Sequence, residues 1–234
     1  MDEERNQLRH SFIFTIRLVA IPFVVFLITF IFSIDLSGFG VYAREVSGLK
    51  GIIFAPLVHG SWGHLLSNLP PLFVSVFMIH YFYRKYFWGI FLSCYLLTGL
   101  MVWLFGREVY HIGISGVVYA LVSFLFFIGI FVRNLVSIVL SLVVLVMYSG
   151  MAAGLFPTEE ILKMNISWES HLMGAMVGAG IAWAYRLRLI DDGKKNSPKS
   201  LIEEEKSDYY FNRDVFDRTK WDRQRDDLFN QNQQ

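Results

Sequence analysis

Residues 111–132 read HIGISGVVYALVSFLFFIGIFV, and this stretch decides the class to which the protein belongs. No charged side chain interrupts it between His111 and Arg133. One helix needs about 20 mostly apolar residues to cross the hydrocarbon core of a bilayer. The stretch therefore predicts a transmembrane helix. Helix packing explains the glycines at its start, but it does not explain Ser115 between Gly113 and Gly116.

The composition favours a polytopic membrane protein over a soluble domain. Of the 234 residues, 54% are apolar and 22 are Phe, a level that soluble domains rarely reach. The formal net charge of +1 argues against a nucleic-acid partner, because such proteins neutralise many phosphates. The single cysteine, Cys94, excludes both an intrachain disulfide and a cysteine-based zinc site.

Six stretches are apolar and long enough to be read as membrane spans. They are 12–34, 64–83, 86–106, 114–132, 134–156 and 169–187. The break at Arg133-Asn134 divides an apolar run that is too long for one span, which predicts a tight hairpin. We therefore expect an all-α membrane protein with a six-helix bundle.

The placement of Lys and Arg predicts the orientation of the bundle, because these residues are enriched in cytoplasmic flanks. In the short flanks of the spans, ten of them lie on the side of the N-terminus and four on the opposite side, which predicts that both termini are in the cytoplasm. The predicted organisation is a cytoplasmic N-terminus (1–11), a membrane domain (12–187) and a charged cytoplasmic tail (188–234). Of the 41 Lys, Arg, Asp and Glu residues, 20 follow Ile190.

Three polar groups lie at the starts of spans two, four and six. The first group holds His59, His64 and Asn68, the second Ser115 and the third His171. Polar groups inside spans are costly, so each is a candidate functional residue. In the orientation derived from charge, all three spans begin at the outer face. The three groups are therefore expected at one depth in the membrane.

Helical spacing brings the polar side chains onto shared faces. His64 and Asn68 are four residues apart, as are Ser115 and Tyr119. His171 shares a stripe with two glycines, Gly174 and Gly178, which permits close approach to a neighbouring helix. If that neighbour is span four, His171 reaches Ser115.

Taken singly, each residue also has a packing interpretation. Ser115 fits a small residue at a helix crossing, and His171 fits a polar contact between helices. Tyr119 is often a packing aromatic, and His59 can simply face the membrane interface. Only the joint placement of these residues favours a functional site.

The chemistry that this set supports is acyl transfer. A serine hydroxyl is a weak nucleophile until a base takes its proton, and histidine suits that role. The oxyanion that forms needs fixed donors, for which the Ser115 N–H, Asn68 and His64 are candidates. Glu169 lies two residues from His171 and so on another helix face, which favours a Ser–His dyad over a triad.

These residues resemble the rhomboid family of intramembrane serine proteases. The resemblance rests on H-x4-H-x3-N in HGSWGHLLSN (59–68), on G-x-S-G in GISGVVYA (113–120), and on SHLMGAMVG (170–178). It implies that Ser115 is the nucleophile and His171 the base. It likewise implies that His64 and Asn68 form the oxyanion hole and that Tyr119 stacks on the base. The remaining motif residues, Gly113, Gly116 and His59, are expected to support the site.

The resemblance also implies the activity and its setting. The family cleaves transmembrane helices of other proteins near their outer end, without a metal or a cofactor. Substrate commonly enters by movement of span five and the cap after it, here about 150–168. We therefore expect a multi-pass protein of a bacterial cell (inner) membrane, with transmembrane substrates and the lipid bilayer as its partners.

Two departures from the family pattern concern the first outer loop and span two. GLKGIIFAP (48–56) stands where the family often has a Trp-Arg pair. Pro70 and Pro71 follow Asn68 almost directly, and prolines remove helical hydrogen bonds. We therefore expect a disturbance of the helix close to Asn68.

Three other functions are alternatives to the hypothesis of an intramembrane serine protease. A rhomboid-like protein without protease activity would bind transmembrane segments, but such relatives usually lack the serine or the histidine. A transporter is disfavoured because no Asp or Glu lies in the interior of a predicted span. A zinc protease is disfavoured because H-E-x-x-H is absent.

Overall fold

The computed structural model describes residues 2–156 and 167–196, and these are mainly helical. The helices are α1 (Asp2–Ile31), α2 (Gly51–Phe54), α3 (Trp62–Phe82), α4 (Phe87–Phe105), α5 (Ser115–Val132), α6 (Leu135–Tyr148) and α7 (Trp168–Asn196). Two short strands, β1 (Val41–Tyr42) and β2 (Tyr110–His111), pair antiparallel, with Val41 opposite His111. Residues up to Leu189 form one compact unit. Residues from Ile190 form a second, described only for 190–196.

Within the described residues, four helices are long and apolar enough to cross a membrane by length and composition. They are Asp2–Ile31, Trp62–Phe82, Arg84–Phe105 (α4 with the turn before it) and Ser115–Val132. These correspond to the first four predicted spans. The first helix begins at Asp2, ten residues before the predicted span, so residues 2–11 are helical.

The fifth and sixth predicted spans differ from the regular helices that the sequence suggests. Span five (134–156) is α-helical only to Tyr148 and continues as a 3-10 helix over Ser149–Leu155. Glycines lower helix propensity, and Gly150 and Gly154 lie in that segment. Helix α7 continues past the predicted boundary at 187 to Asn196. Most of the predicted cap (157–166) and of the tail (197–234) lies outside the described residues.

The predicted hairpin at 133–134 is present, and local capping explains it. Arg133 adopts a left-handed conformation (φ 57°) and its N–H bonds to the Gly129 carbonyl, which ends α5. Asn134 then caps α6, since its side chain accepts a hydrogen bond from the Ser137 N–H at 2.7 Å. Two residues thus suffice to reverse the chain.

Helix α5 lies at the centre of the unit and is the most buried of the four long apolar helices. Three of its large side chains, Leu121, Phe124 and Ile128, are fully buried. Helix α7 packs closely on α5, because a Cβ at Gly174 would overlap the Gly116 carbonyl and one at Gly178 would overlap the Ala120 carbonyl. The predicted glycine stripe therefore faces span four.

Candidate active site

Ser115 and His171 are in direct contact where α5 and α7 begin. The Ser115 Oγ lies 2.9 Å from His171 Nε2, and both residues are buried. Ser115 is the first residue of α5, and His171 lies in the first turn of α7. The Gly116–Gly174 contact brings the two helix starts together one turn or less from these side chains.

The second imidazole nitrogen of His171 contacts the main chain. Nδ1 lies 3.0 Å from the carbonyl oxygen of Gly154, in the 3-10 segment after α6. A carbonyl oxygen only accepts hydrogen bonds, so this contact places the ring proton on Nδ1. Nε2 is then free to accept the hydroxyl proton of Ser115. This contact has no signal in the sequence, because a main-chain acceptor requires no particular side chain.

Tyr119 fixes the plane of the same ring. Its ring stacks on His171 with centroids 4.2 Å apart and an interplanar angle of 11°. Its hydroxyl donates to the Met151 carbonyl at 2.7 Å, in the segment that also supplies Gly154. The aromatic ring therefore couples the imidazole to the residues that follow α6.

Gly113 shapes the turn that leads into the serine. Its φ of +100° lies in the region where residues with a Cβ are strained. Its N–H bonds to the Ala55 carbonyl at 2.9 Å, which attaches the turn to the connection between α1 and α3. A Cβ at this position would approach His64 Cε1 to 2.5 Å, so the imidazole lies directly against the turn.

His59 supports this turn from behind. The Ile114 N–H donates to His59 Nε2 at an N···N distance of 3.4 Å. The His59 and His64 rings lie edge to face, with their centroids 5.1 Å apart. Burial lowers the pKa of His59 to about 4, and the neighbouring His64 acts in the same direction. The ring is therefore neutral near pH 7, which leaves Nε2 able to accept a hydrogen bond.

Asn68 is buried, but part of its hydrogen-bonding capacity is used locally. Its Nδ2 donates to the His64 carbonyl at 2.7 Å. The expected disturbance at Pro70 and Pro71 does not interrupt the helix, because α3 runs from Trp62 to Phe82 with both prolines inside it. Asn68 keeps one amide hydrogen that this contact does not use.

A cavity of about 1000 Å³ joins these side chains. It is bounded by the start of α3, the start of α5, the end of α6 and the first residues of α7. The predicted site residues that line it are His64, Asn68, Ser115, Tyr119 and His171. His59, Gly113 and Gly116 lie behind this surface and form its support. Ser115 and His171 thus share one cavity with the two proposed oxyanion side chains, His64 and Asn68.

Comparisons with known proteins identify the family of the chain. The family model described as the rhomboid domain matches residues 46–188. An uncharacterized protein of Mycobacterium tuberculosis is 36% identical over 175 residues, which cover 72% of each chain. An uncharacterized protein of Mycobacterium leprae is 33% identical over 161 residues, which cover 66% of this chain and 62% of that protein.

The fold and the comparisons together define an integral, multi-pass membrane protein. The matched region is more than half of the chain, and it contains all eight residues that the motifs singled out. The protein belongs to the rhomboid family.

Proposed function

We propose that the protein is an intramembrane serine endopeptidase that cleaves transmembrane helices of substrate proteins near the outer membrane face. The observation that carries the proposal is the 2.9 Å contact between Ser115 Oγ and His171 Nε2, within a cavity large enough for an extended segment of chain. The tautomer favoured by Gly154 leaves Nε2 as the base. A Ser–His dyad is sufficient for general-base activation of a hydroxyl.

The reaction follows the usual course of acyl transfer. Ser115 Oγ forms a bond to the scissile carbonyl carbon while His171 Nε2 takes its proton. The C–N bond then breaks, and His171 gives this proton to the leaving amine. A water molecule next attacks the acyl-serine ester while His171 Nε2 takes one of its protons. The ester bond to Ser115 Oγ then breaks, His171 gives the proton to Oγ, and the new carboxyl terminus is released.

Three donors are proposed to stabilise the oxyanion. The Ser115 N–H lies at the first position of α5, where helical N–H groups have no intrahelical partner and the helix dipole favours negative charge. The His64 ring lies against Gly113, and Asn68 retains one unused amide hydrogen. His64 and Asn68 both line the cavity beside Ser115.

The proposed setting is a six-span bundle with both termini in the cytoplasm of a bacterium, in its inner membrane. The four long apolar helices, the excess of Lys and Arg on one side, and the mycobacterial relatives support it. In this orientation α3, α5 and α7 begin at the outer face. Substrates are transmembrane proteins, and residues about 150–168 are the proposed gate.

The test is cleavage of a transmembrane reporter in proteoliposomes. Wild type is compared with Ser115→Ala and His171→Ala, and mass spectrometry locates the cut. Ser11→Ala is the matched control, because Ser11 Oγ also contacts a histidine, His80 Nδ1, at 2.9 Å, and both residues are buried.

We expect each dyad variant to lose activity by at least about 1000-fold, as for serine hydrolases generally. The Ser11 control should cleave like wild type. Cleavage that persists in Ser115→Ala would contradict the proposal. A wild type that binds the reporter without cutting it would favour a silent, segment-binding rhomboid-like protein instead.

A further inference from the structure

Two non-covalent cross-links beside the cavity join the segments that carry Ser115 and His171, and one of them includes Ser167, which lines the cavity. The first segment is the loop 106–114 between α4 and α5, which leads into Ser115. The second is Ser167 with the first turn of α7, which contains His171. These segments are about 60 residues apart in sequence, so their relative position depends on contacts between them.

The first cross-link is an ion pair between Arg107 and Glu169. Arg107 Nε contacts Glu169 Oε1, and Arg107 Nη2 lies 3.1 Å from Oε2, so the pair is bidentate. The Glu169 side chain is only 4% exposed, whereas that of Arg107 is 46% exposed. Such a fork fixes orientation as well as distance. A buried carboxylate that depends on one guanidinium therefore holds the start of α7 against the loop.

The second cross-link joins His111 to Ser167. His111 Nδ1 lies 2.6 Å from Ser167 Oγ, and Nε2 lies 3.0 Å from the Arg107 carbonyl. The carbonyl can only accept, so Nε2 carries the proton and Nδ1 accepts from the serine hydroxyl. Burial lowers the pKa of His111, which keeps the ring neutral near pH 7. His111 thus contacts the loop and the residue before α7 at once.

Ser167 in turn sets where α7 begins. Its carbonyl accepts from the Ser170 N–H at 3.1 Å and from the His171 N–H at 3.4 Å. The His111 contact therefore reaches the main chain of His171 through one residue. Glu169 lies in the same helical turn as His171, so its ion pair also acts on the position of the His171 main chain.

We propose that the Arg107–Glu169 pair, backed by His111 and Ser167, positions His171 on Ser115 and so acts on the chemical step. The inference rests on the proposed function. Glu169 is a positioning residue, not the acid of a triad, because its carboxylate is held by Arg107 and His171 Nδ1 contacts Gly154. The serine and the histidine come from two chain segments, and the Arg107–Glu169 ion pair fixes the position of one segment relative to the other at the outer end.

The experiment is a double-mutant cycle on purified full-length protein. The variants are Glu169→Gln, Arg107→Met and the double variant. Two readouts are used: the rate at which a fluorophosphonate labels Ser115, and kcat and KM for a transmembrane reporter. Glu108→Gln is the matched control, since this carboxylate lies on the same loop and pairs with Arg44, but its side chain is 69% exposed.

We expect each single variant to lower the labelling rate and kcat by about 10- to 100-fold, because small displacements of reacting groups have effects of that size. KM should stay within about twofold of wild type, as for an interaction that acts on the transition state. The double variant should be no slower than the worse single one, and Glu108→Gln should match wild type.

Arg107→Lys distinguishes positioning from a general contribution to the fold. Lysine keeps the charge but cannot form the fork, so the inference predicts a lowered kcat here also, even if Glu169→Gln fails to fold. Labelling and kcat near wild type in Arg107→Lys and Arg107→Met would overturn the inference and leave the proposed function intact. A wild type that neither labels nor cleaves would overturn both.

Discussion

The carbonyl oxygen of Gly154 lies 3.0 Å from Nδ1 of His171, in the place that an acid occupies in a Ser-His-Asp triad. The carbonyl orients the ring and selects its tautomer, but it adds no negative charge. The orientation of His171, the proposed base, therefore depends on the main-chain position of residues 149–155. This segment is also attached to Tyr119 through the Met151 carbonyl.

A substitution at Gly154 should impair catalysis more than one at the neighbouring Gly150. A Cβ at Gly154 would overlap the Tyr119 hydroxyl and approach His171 Nδ1 to 3.1 Å, whereas a Cβ at Gly150 meets nothing within 4 Å. We expect Gly154→Ala to lower kcat for reporter cleavage by about 10-fold or more. Gly150→Ala is the control, and equal kcat values for the two variants would refute the proposed role of this segment.

Two substitutions at Tyr119 distinguish the effect of its ring stacking from the effect of its hydroxyl hydrogen bond. Tyr119→Phe keeps the ring 4.2 Å from His171 but removes the 2.7 Å bond to the Met151 carbonyl. We expect Tyr119→Phe to retain kcat within about fivefold, since one hydrogen bond contributes about 1 kcal/mol. Tyr119→Ala leaves the imidazole unsupported and should lower kcat by about 10-fold or more. The reverse order of these two variants would show that the hydroxyl, not the ring, matters.

The close approach of α5 and α7 predicts a difference between two glycines of one helix. A Cβ at Gly174 would overlap the Gly116 carbonyl, whereas one at Gly180 meets nothing within 4 Å. Gly174→Ala should lower the free energy of unfolding by about 1–3 kcal/mol, as overpacking does, and should abolish cleavage by separating the dyad. Thermal unfolding in detergent and reporter cleavage check both effects. Gly180→Ala should match wild type, and similar losses in both variants would argue against helix separation.

The buried His59 predicts loss of stability in acid. Its pKa is about 4 in the folded protein and about 6.5 in an unfolded chain. Between these values the unfolded chain binds the proton that the folded chain does not, so the free energy of unfolding falls as the pH falls. At pH 5 this single group accounts for about 2 kcal/mol.

The matching variant is His59→Gln, which keeps an acceptor for the Ile114 N–H but does not titrate. We expect the midpoint of thermal unfolding to fall less between pH 7 and pH 5 in this variant than in wild type. A parallel fall in both proteins would contradict a neutral His59 in the folded state.

Much of the fold follows from the sequence because its signals are local. Runs of apolar residues mark the first four spans, and Arg133-Asn134 marks the hairpin between α5 and α6. The ends of spans five and six are less well predicted. Tyr148 ends α6 although the apolar character continues, and α7 extends to Asn196 although charged residues begin earlier.

The candidate site was likewise predicted only in part. Ser115 and His171 were predicted to meet because helical spacing and a shared depth constrain them, and their contact is present at 2.9 Å. The Gly154 contact was missed because a carbonyl group has no sequence signature. The Arg107–Glu169 pair was also missed, because the helix face of Glu169 gives no indication of its partner 62 residues away. The available signal was an Arg directly after the third predicted span and a Glu at the start of the sixth.

The central claim is that His171 activates Ser115, and covalent labelling tests it most directly. Purified wild type, His171→Ala and Ser123→Ala would be treated with a fluorophosphonate and the modified residue located by peptide mass spectrometry. Ser123 is the control because it is another buried serine of α5, and its hydroxyl bonds to the Ala175 carbonyl instead. We predict modification of Ser115 alone, at equal rates in wild type and Ser123→Ala, and at least about 100-fold slower in His171→Ala. An unmodified Ser115 in folded wild type, or equal labelling without His171, would contradict the claim.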